Sequence, residues 1–438
     1  MHSVSIISIY YRRRLQLSLL LVAGFAASLT ISAQQTSAQP GAADIGAAED
    51  AAAKSTDELF WLRVRDQFNL PKDLTYFNNG TTGPVPYPTS SVHEQWEKQL
   101  ASDPRNTYRP EEIDAVRQKL ARFVGALPEE IAFTHSTTEG VNIFAHGLDW
   151  KAGDEVILGS QEHHAAIDAY EGISKRYGVK VVTVHIAAPP KSKEEIIQAY
   201  ASAITEHTRL IVVSHVTYIS GLLYPIKELT ELAHSKNIFI SVDGAQSVGV
   251  IPLNLHELGV DHYAGPGQKW LLAGTGTGFT YIRKDLQDKV WPSVGNYNPS
   301  APQPAVHTAK RYEKTGQVNI SALLGIGSAI DFQTSIGQER FAARDRYLAA
   351  RLKQGLVGIK GVTLYTSQDP NLSVGLTTFA LQGRTPEELV KLLNDKYHIF
   401  VRTIVTDEVK GVRISTHIYN TIQEVDAVLK AIGELSQP

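Results

Sequence analysis

Through the middle of the chain, short apolar runs rich in β-branched residues alternate with stretches whose apolar residues recur every three or four positions. The runs are Glu155 to Leu158, Lys180 to His185, Leu210 to Ser214 and Ile238 to Val242, separated by 20 to 30 residues. Between them, Lys193 to Thr205 and Ile226 to Ser235 have helical spacing. A continuous apolar run suits a strand covered on both faces, and the intervening helix supplies the crossover. The pattern predicts βαβ units and a mainly parallel sheet, an α/β fold.

The rhythm changes near residue 320. Helical spacing runs from Ile320 to Leu356, with a break expected at Gly337. Val362 to Leu364, Val374 to Leu381, Pro386 to Tyr397 and Thr421 to Leu435 follow. This order predicts a smaller C-terminal α+β domain over 320–438, packed on a large domain over 57–319. No segment repeats in tandem.

Ahead of both, Arg12, Arg13 and Arg14 precede an apolar run from Leu17 to Ala27, and small residues follow at Ser32-Ala33 and Ser37-Ala38. These are the three parts of an export signal over 1–33, cut after Ala33 or Ala38, and the arginines resemble a twin-arginine signal. The alternative is an uncleaved anchor, for which the apolar run is short. The expected location is the periplasm, with membrane contact only through this segment if it is retained. Residues 34–56 hold too few large apolar groups to offset the entropy of ordering and read as a flexible linker.

Composition sharpens this picture in two ways. In 438 residues, 42 Lys and Arg stand against 45 Asp and Glu, a formal charge of -3 that becomes -6 when the signal's three arginines are lost. That balance gives no general attraction to nucleic acid. The chain has no Cys, which excludes disulfides, thiolate metal sites and any cysteine nucleophile.

In open α/β sheets, functional groups gather past the carboxyl ends of strands, and four such places carry candidate chemistry. The strand Ile238 to Val242 ends in Asp243, with Gln246 three residues on; alone, such an acid is as well explained as a cap. Gly265-Pro266-Gly267-Gln268-Lys269-Trp270 places a Lys in a turn, where a lone Lys is more often a solvated one. Ser136-Thr137-Thr138-Glu139 fits a capping box opening a helix, and free N–H groups there also suit a phosphate. Gln161-Glu162-His163-His164 follows a strand. A metal is not expected there, because adjacent His side chains diverge and no His-Glu-x-x-His helix exists. The Gly274-Thr275-Gly276-Thr277-Gly278 run lacks the preceding parallel strand and following acid of a dinucleotide fingerprint and reads as a turn into Phe279 to Arg283.

Taken together, Asp243, Lys269, the hydroxyl-bearing helix start and the His after Glu162 resemble the class V aminotransferase family of pyridoxal-phosphate enzymes, which includes cysteine desulfurases and isopenicillin N epimerase. The resemblance spans Tyr76 to Leu435. It opens on Tyr76-Phe77-Asn78-Asn79-Gly80 and closes on Val412-Arg413-Ile414-Ser415 with His417, Tyr419, Asn420 and Thr421. It implies fold type I, a mainly parallel central sheet flanked by helices, and a homodimer with shared active sites. It implies that pyridoxal 5'-phosphate (PLP) is held by Lys269 as a Schiff base, that Asp243 faces the pyridine nitrogen, and that His163 stacks on the ring. Gln246 falls near the ring hydroxyl, Thr137 and Thr138 at the phosphate, and Arg413 where a planar fork of donors clamps the substrate carboxylate.

Several positions depart from the family pattern. Pro266 and Gln268 replace side chains that usually reach the phosphate; Gln268 can still donate, and Pro266 cannot. Tyr218 stands where Asn is common and is a candidate for the ring oxygen. Thr315, in a reversed Thr-Gly pair, is a candidate for the partner subunit's phosphate. Arg402 is a second candidate substrate anchor. The segment from Val401 to Asp407 lies where desulfurases carry their cysteine, and none is present. The expectation is an enzyme acting at the Cα of an amino acid or similar small molecule, as an epimerase or aminotransferase and without enzyme-bound persulfide. Alternatives are a β-eliminating lyase, a periplasmic tailoring enzyme for a secreted peptide, and a non-catalytic binding protein retaining the fold.

Overall fold

The computed structural model describes residues 54–293 and 308–437. The export signal and almost all of the 34–56 linker lie outside the described residues. After helix α1 (Glu58–Arg65) and the short strand β1 (Thr75–Tyr76) come helices α2 (Tyr87–Ser102) and α3 (Pro110–Val124). Alternation then sets in: β2 (Ile131–Thr134), α4 (Thr137–Gly147), β3 (Glu155–Gly159), α5 (His164–Tyr177), β4 (Lys180–Val184), α6 (Lys193–Ala203), β5 (Thr208–Ser214), α7 (Ile226–Ser235) and β6 (Phe239–Asp243). A short α8 (Leu255–Leu258), β7 (His262–Pro266) and β8 (Gly278–Ile282) complete the first sheet.

That sheet has seven strands in the order β2-β8-β7-β6-β5-β3-β4. Only β8 runs antiparallel to its neighbours, so the mainly parallel sheet read from the spacing is present. Alternate strand residues feed two cores. Ile157, Ile211, Val213, Ile240 and Val242 join one face with α3, α6, α7 and the later helix α9 (Ile320–Ile336). Val156, Leu158, Leu210 and Val212 join the other with α4 and α5. The period of two explains why these strands are apolar throughout.

The second half adds α10 (Gln338–Val357), β9 (Val362–Leu364), β10 (Leu376–Leu381), α11 (Pro386–Tyr397), β11 (Ile399–Phe400), β12 (Arg402–Val405), β13 (Lys410–Ser415) and α12 (Ile422–Leu435). The expected break falls at Gly337, whose φ of 99° lies where other residues are strained. A four-stranded antiparallel sheet, β12-β13-β10-β9, packs Phe379, Val412 and Ile414 against apolar faces of α10, α11 and α12. Helix α9 turns Ile326, Ala329 and Ile330 into the first sheet's core, and the described residues belong to one compact unit. Strand β1 pairs in parallel with β11, and Ser415 N–H donates to Phe77 O at 2.7 Å. The segment 75–83 is thereby threaded between the C-terminal sheet and the turn after β7. Among the described residues no helix is long and apolar enough to cross a membrane.

Candidate active site

Strand β6 delivers Asp243, only 3% exposed, to the carboxyl edge of the large sheet. Burial raises its pKa above the ordinary carboxylate range, while the Ala245 N–H, donating to Oδ1 at 2.8 Å, and the charge of Lys269 pull it back. Lys269 lies in the turn after β7. Burial pushes its ammonium down to about 8; Asp243 opposes that drop, and Arg413 and Arg402 add to it. Lys269 is half-buried, and it and Asp243 are close enough for each to feel the other's charge. The turn is held from above by Gly83, whose N–H donates to Gln268 O at 2.8 Å. A Cβ at Gly83 would come within 2.2 Å of Lys269 O, so only glycine permits this approach.

His163 is the N-cap of α5: its Nδ1 accepts from Ala165 N–H at 3.1 Å. Burial, then the charges of Lys269, His164, Arg402 and Arg413, lower its pKa to about 4. The ring is neutral at pH 7, and with Nδ1 accepting, its proton sits on Nε2. Tyr218 stands edge-on to it, with centroids 4.9 Å apart. Gln246 is buried and uses both ends of its amide: Nε2 donates to Gly80 O, and Oε1 accepts from Trp270 Nε1, each at 2.8 Å.

At the start of α4, Ser136 Oγ accepts from Glu139 N–H at 3.2 Å. The other half of the expected capping box is displaced by one residue. Glu139 Oε2 takes the N–H of His135 at 2.6 Å and its ring nitrogen at 2.8 Å, two donors in place of the single Ser136 N–H. Thr137 is buried and its Oγ1 has no partner, and neither has Oε1 of Gln268. Thr138 is exposed. Pro266 pairs with Gly278 across β7 and β8, and a Cβ on Gly278 would stand 3.2 Å from the Ser136 carbonyl carbon, which puts the helix start beside the lysine turn. Thr315 lies with His135 and Gly276 around a small neighbouring pocket.

Arg413, on β13, is 1% exposed. Nη1 donates to Tyr218 O at 3.0 Å, and Nη2 to Thr81 Oγ1 at 3.1 Å and Asn78 Oδ1 at 3.4 Å, while Nε has no partner. Burial and the neighbouring Arg402 push its pKa down to about 9. Arg402 is exposed and donates from Nη1 to the same Thr81 hydroxyl at 3.0 Å. Asn78, Gly80, Thr81, Gly83 and Trp270 hold this site together and were not singled out as functional from the sequence. The Asn78-Asn79-Gly80 run was the one signal available, and it covers only Asn78 and Gly80. Glu162 was also passed over. It is 1% exposed, its Oε1 accepts from Ser214 N–H at 3.0 Å, its Oε2 lies 2.6 Å from Ser214 Oγ, and burial raises its pKa to about 8. Among the described residues no group of three or more His, Cys, Asp and Glu is placed to hold a metal ion.

A seven-stranded, mostly parallel sheet with an amine in the turn past one strand, a buried carboxylate at the tip of the next and a hydroxyl-lined helix start beside them defines a PLP-dependent enzyme of fold type I. The residues fit that group: the unpartnered Thr137 hydroxyl and first-turn N–H groups of α4 suit a phosphate, Lys269 supplies the amine, and Asp243 supplies the negative charge. The model of the aminotransferase class-V family matches residues 76–428, and the chain belongs to that family. PLP is its cofactor. The isopenicillin N epimerase of Amycolatopsis lactamdurans is 32% identical over 86% of this chain and 99% of its own, and that of Streptomyces clavuligerus 30% over 86% and 98%. A probable cysteine desulfurase of Methanothermobacter thermautotrophicus is 28% identical over 85% and 97%. Among solved structures, the apo cysteine desulfurase of Thermococcus onnurineus NA1 superposes with a TM-score of 0.77 at 25% identity, covering 85% of this chain and 97% of its own. The cystine C-S lyase C-DES in complex with its product cysteine persulfide superposes with a TM-score of 0.76 at 25% identity, covering 83% and 98%.

Proposed function

We propose that the chain acts at the Cα of an amino acid or amino-acid-like substrate, as an epimerase or an aminotransferase. The observation that carries this reading is Arg413: a buried guanidinium whose charge reaches Lys269, with no ion pair to any acid among the described residues. Burying such a charge uncompensated is costly, and a substrate carboxylate would supply the missing partner. When bound, PLP withdraws electrons and so acidifies the Cα–H of an amine-linked substrate. Lys269 Nζ, already lowered to about 8, has a substantial neutral fraction near that pH and can take and return the Cα proton. Arg413 fixes the carboxylate, and neutral His163 covers the site without adding charge.

With no Cys in the chain, a persulfide on the enzyme is not part of this proposal. A β-eliminating lyase needs no enzyme thiol, and the likeness to C-DES favours it as the second reading. The N-terminal arginines and apolar run support export to the periplasm, and the family resemblance supports a homodimer. Exposing holoenzyme to a panel of L- and D-amino acids in heavy water separates the chemistries. Deuterium at Cα with no keto acid marks epimerisation, a keto acid from the whole substrate marks transamination, and pyruvate from a β-substituted substrate marks elimination. If no amino acid gains deuterium or is consumed, the proposal fails.

A further inference from the structure

Arg402 and Arg413 are direct partners in the register of β12 and β13. Like charges placed opposite each other in an antiparallel pair are destabilising, yet here both forks turn toward one point. Thr81 Oγ1 donates its single proton to Asn78 Oδ1 at 2.8 Å and accepts from Arg402 Nη1 at 3.0 Å and Arg413 Nη2 at 3.1 Å. One neutral hydroxyl is therefore the hub of two guanidiniums, and among the described residues neither has an acid within ion-pair distance.

The convergence is built. Tyr76 stacks on Phe400 at 5.6 Å with the rings within 10° of parallel, and β1 pairs with β11, so the 75–83 segment is fixed just before Arg402 begins β12. A Cβ at Gly80 would lie 3.0 Å from Arg413 Nη2 and 2.9 Å from Ser415 Oγ, so glycine keeps that guanidinium's place open. Oγ of Ser415 and Nδ2 of Asn79, both fully buried, have no partner, nor has Nε of Arg413. A single α-carboxylate answers the buried Arg413 and leaves the exposed Arg402, held beside it through Thr81, with a fork free to take a second anion. We propose that the substrate carries a second anionic group, and that Arg402, at the open end of the pair, takes it while Arg413 takes the α-carboxylate. The preferred substrate class is then an amino dicarboxylate, or an amino acid bearing a comparable distal acid. This rests on the reading of Arg413 given above and extends it to the side chain of the substrate.

The test uses probes without an amine, so that binding is read independently of turnover. Calorimetric titration of the holoenzyme with glutarate and with butyrate should show glutarate binding at least about tenfold more tightly, the worth of one charge-assisted contact. Arg402→Gln should erase that difference and leave butyrate within about twofold, whereas Arg413→Gln should weaken both probes. Glutamate should likewise be preferred to glutamine by the wild type and not by Arg402→Gln. Equal affinities for the two probes in the wild type, or an Arg402→Gln variant that weakens both alike, would overturn the inference, because Arg402 would then serve the α-carboxylate or nothing. Loss of all binding in the wild type, with no effect of Arg413→Gln on glutamate or glutamine, would instead defeat the underlying reading of Arg413. Thermal denaturation of each variant identifies any that fails to fold.

Discussion

Arg413→Ala removes a buried fork that binds Tyr218 O, Asn78 and Thr81. For a carboxylate substrate, kcat/KM should fall by about 10- to 150-fold, the equivalent of about 1.5 to 3 kcal/mol for a charged hydrogen bond, with most of the loss in KM. An unchanged KM in steady-state kinetics contradicts the assignment. Glu162 makes a pH prediction. Its folded pKa of about 8 lies above the ordinary carboxyl value, so between about 4.5 and 8 the native state binds more protons than the unfolded one, and stability falls as pH rises through that window. Glu162→Gln keeps a neutral, hydrogen-bonding side chain against Ser214 and should stabilise the protein by about 2 to 4 kcal/mol at pH 8 and by little at pH 4.5. Urea unfolding at the two pH values checks the sign. Asp243 and Lys269 stood out at strand ends but were ambiguous singly, and their roles, like that of Arg413, came from the resemblance to the family pattern as a whole. Glu162 and Thr81 were not legible, because their importance comes from what the fold brings to them: Ser214 from β5 and two arginines from the C-terminal sheet.

Among the elements, the start of α4 is the most telling. The Ser136 cap was readable from its spacing to Glu139, but the displacement of Glu139 onto His135 was not, since it depends on where a side-chain ring turns. Ser136→Ala should cost about 0.5 to 2 kcal/mol of stability, as other lost N-caps do. Thr137→Val acts differently. Its hydroxyl has no partner in the protein, so the fold should be unharmed, while cofactor affinity should weaken by about tenfold, measured by dialysis and absorbance. Strands β3, β5 and β6 were read to within two residues because burial on both faces makes them largely apolar; β4, at the sheet edge and partly exposed, was read from its β-branched residues. Helices α2 and α3 were not read at all. Along α2 only Thr89 is buried, so no strong apolar stripe marks it.

Across the whole molecule, the N-terminal helix is tied to the C-terminal half by Arg344, which is fully buried and binds Glu58, Ser55 O and Asn420 O. Arg344→Met should lower stability by about 1 to 3 kcal/mol, because Ser55 O and Asn420 O lose their donor while Glu58, 24% exposed, keeps access to water, and a calorimetric scan should show Tm falling by a few degrees. Such long-range ties, like the β1 and β11 pairing, leave no local trace in sequence, whereas the alternation that builds the large sheet does. What unites the scales is Lys269, half-buried in the turn after β7 and within reach of the charge of Asp243. Borohydride reduction of the purified holoenzyme, followed by peptide mass analysis, tests that directly. The cofactor's mass should be found on the peptide containing Lys269 and should vanish in Lys269→Ala. Its appearance on another lysine, or a colourless protein with no adduct, would contradict the account.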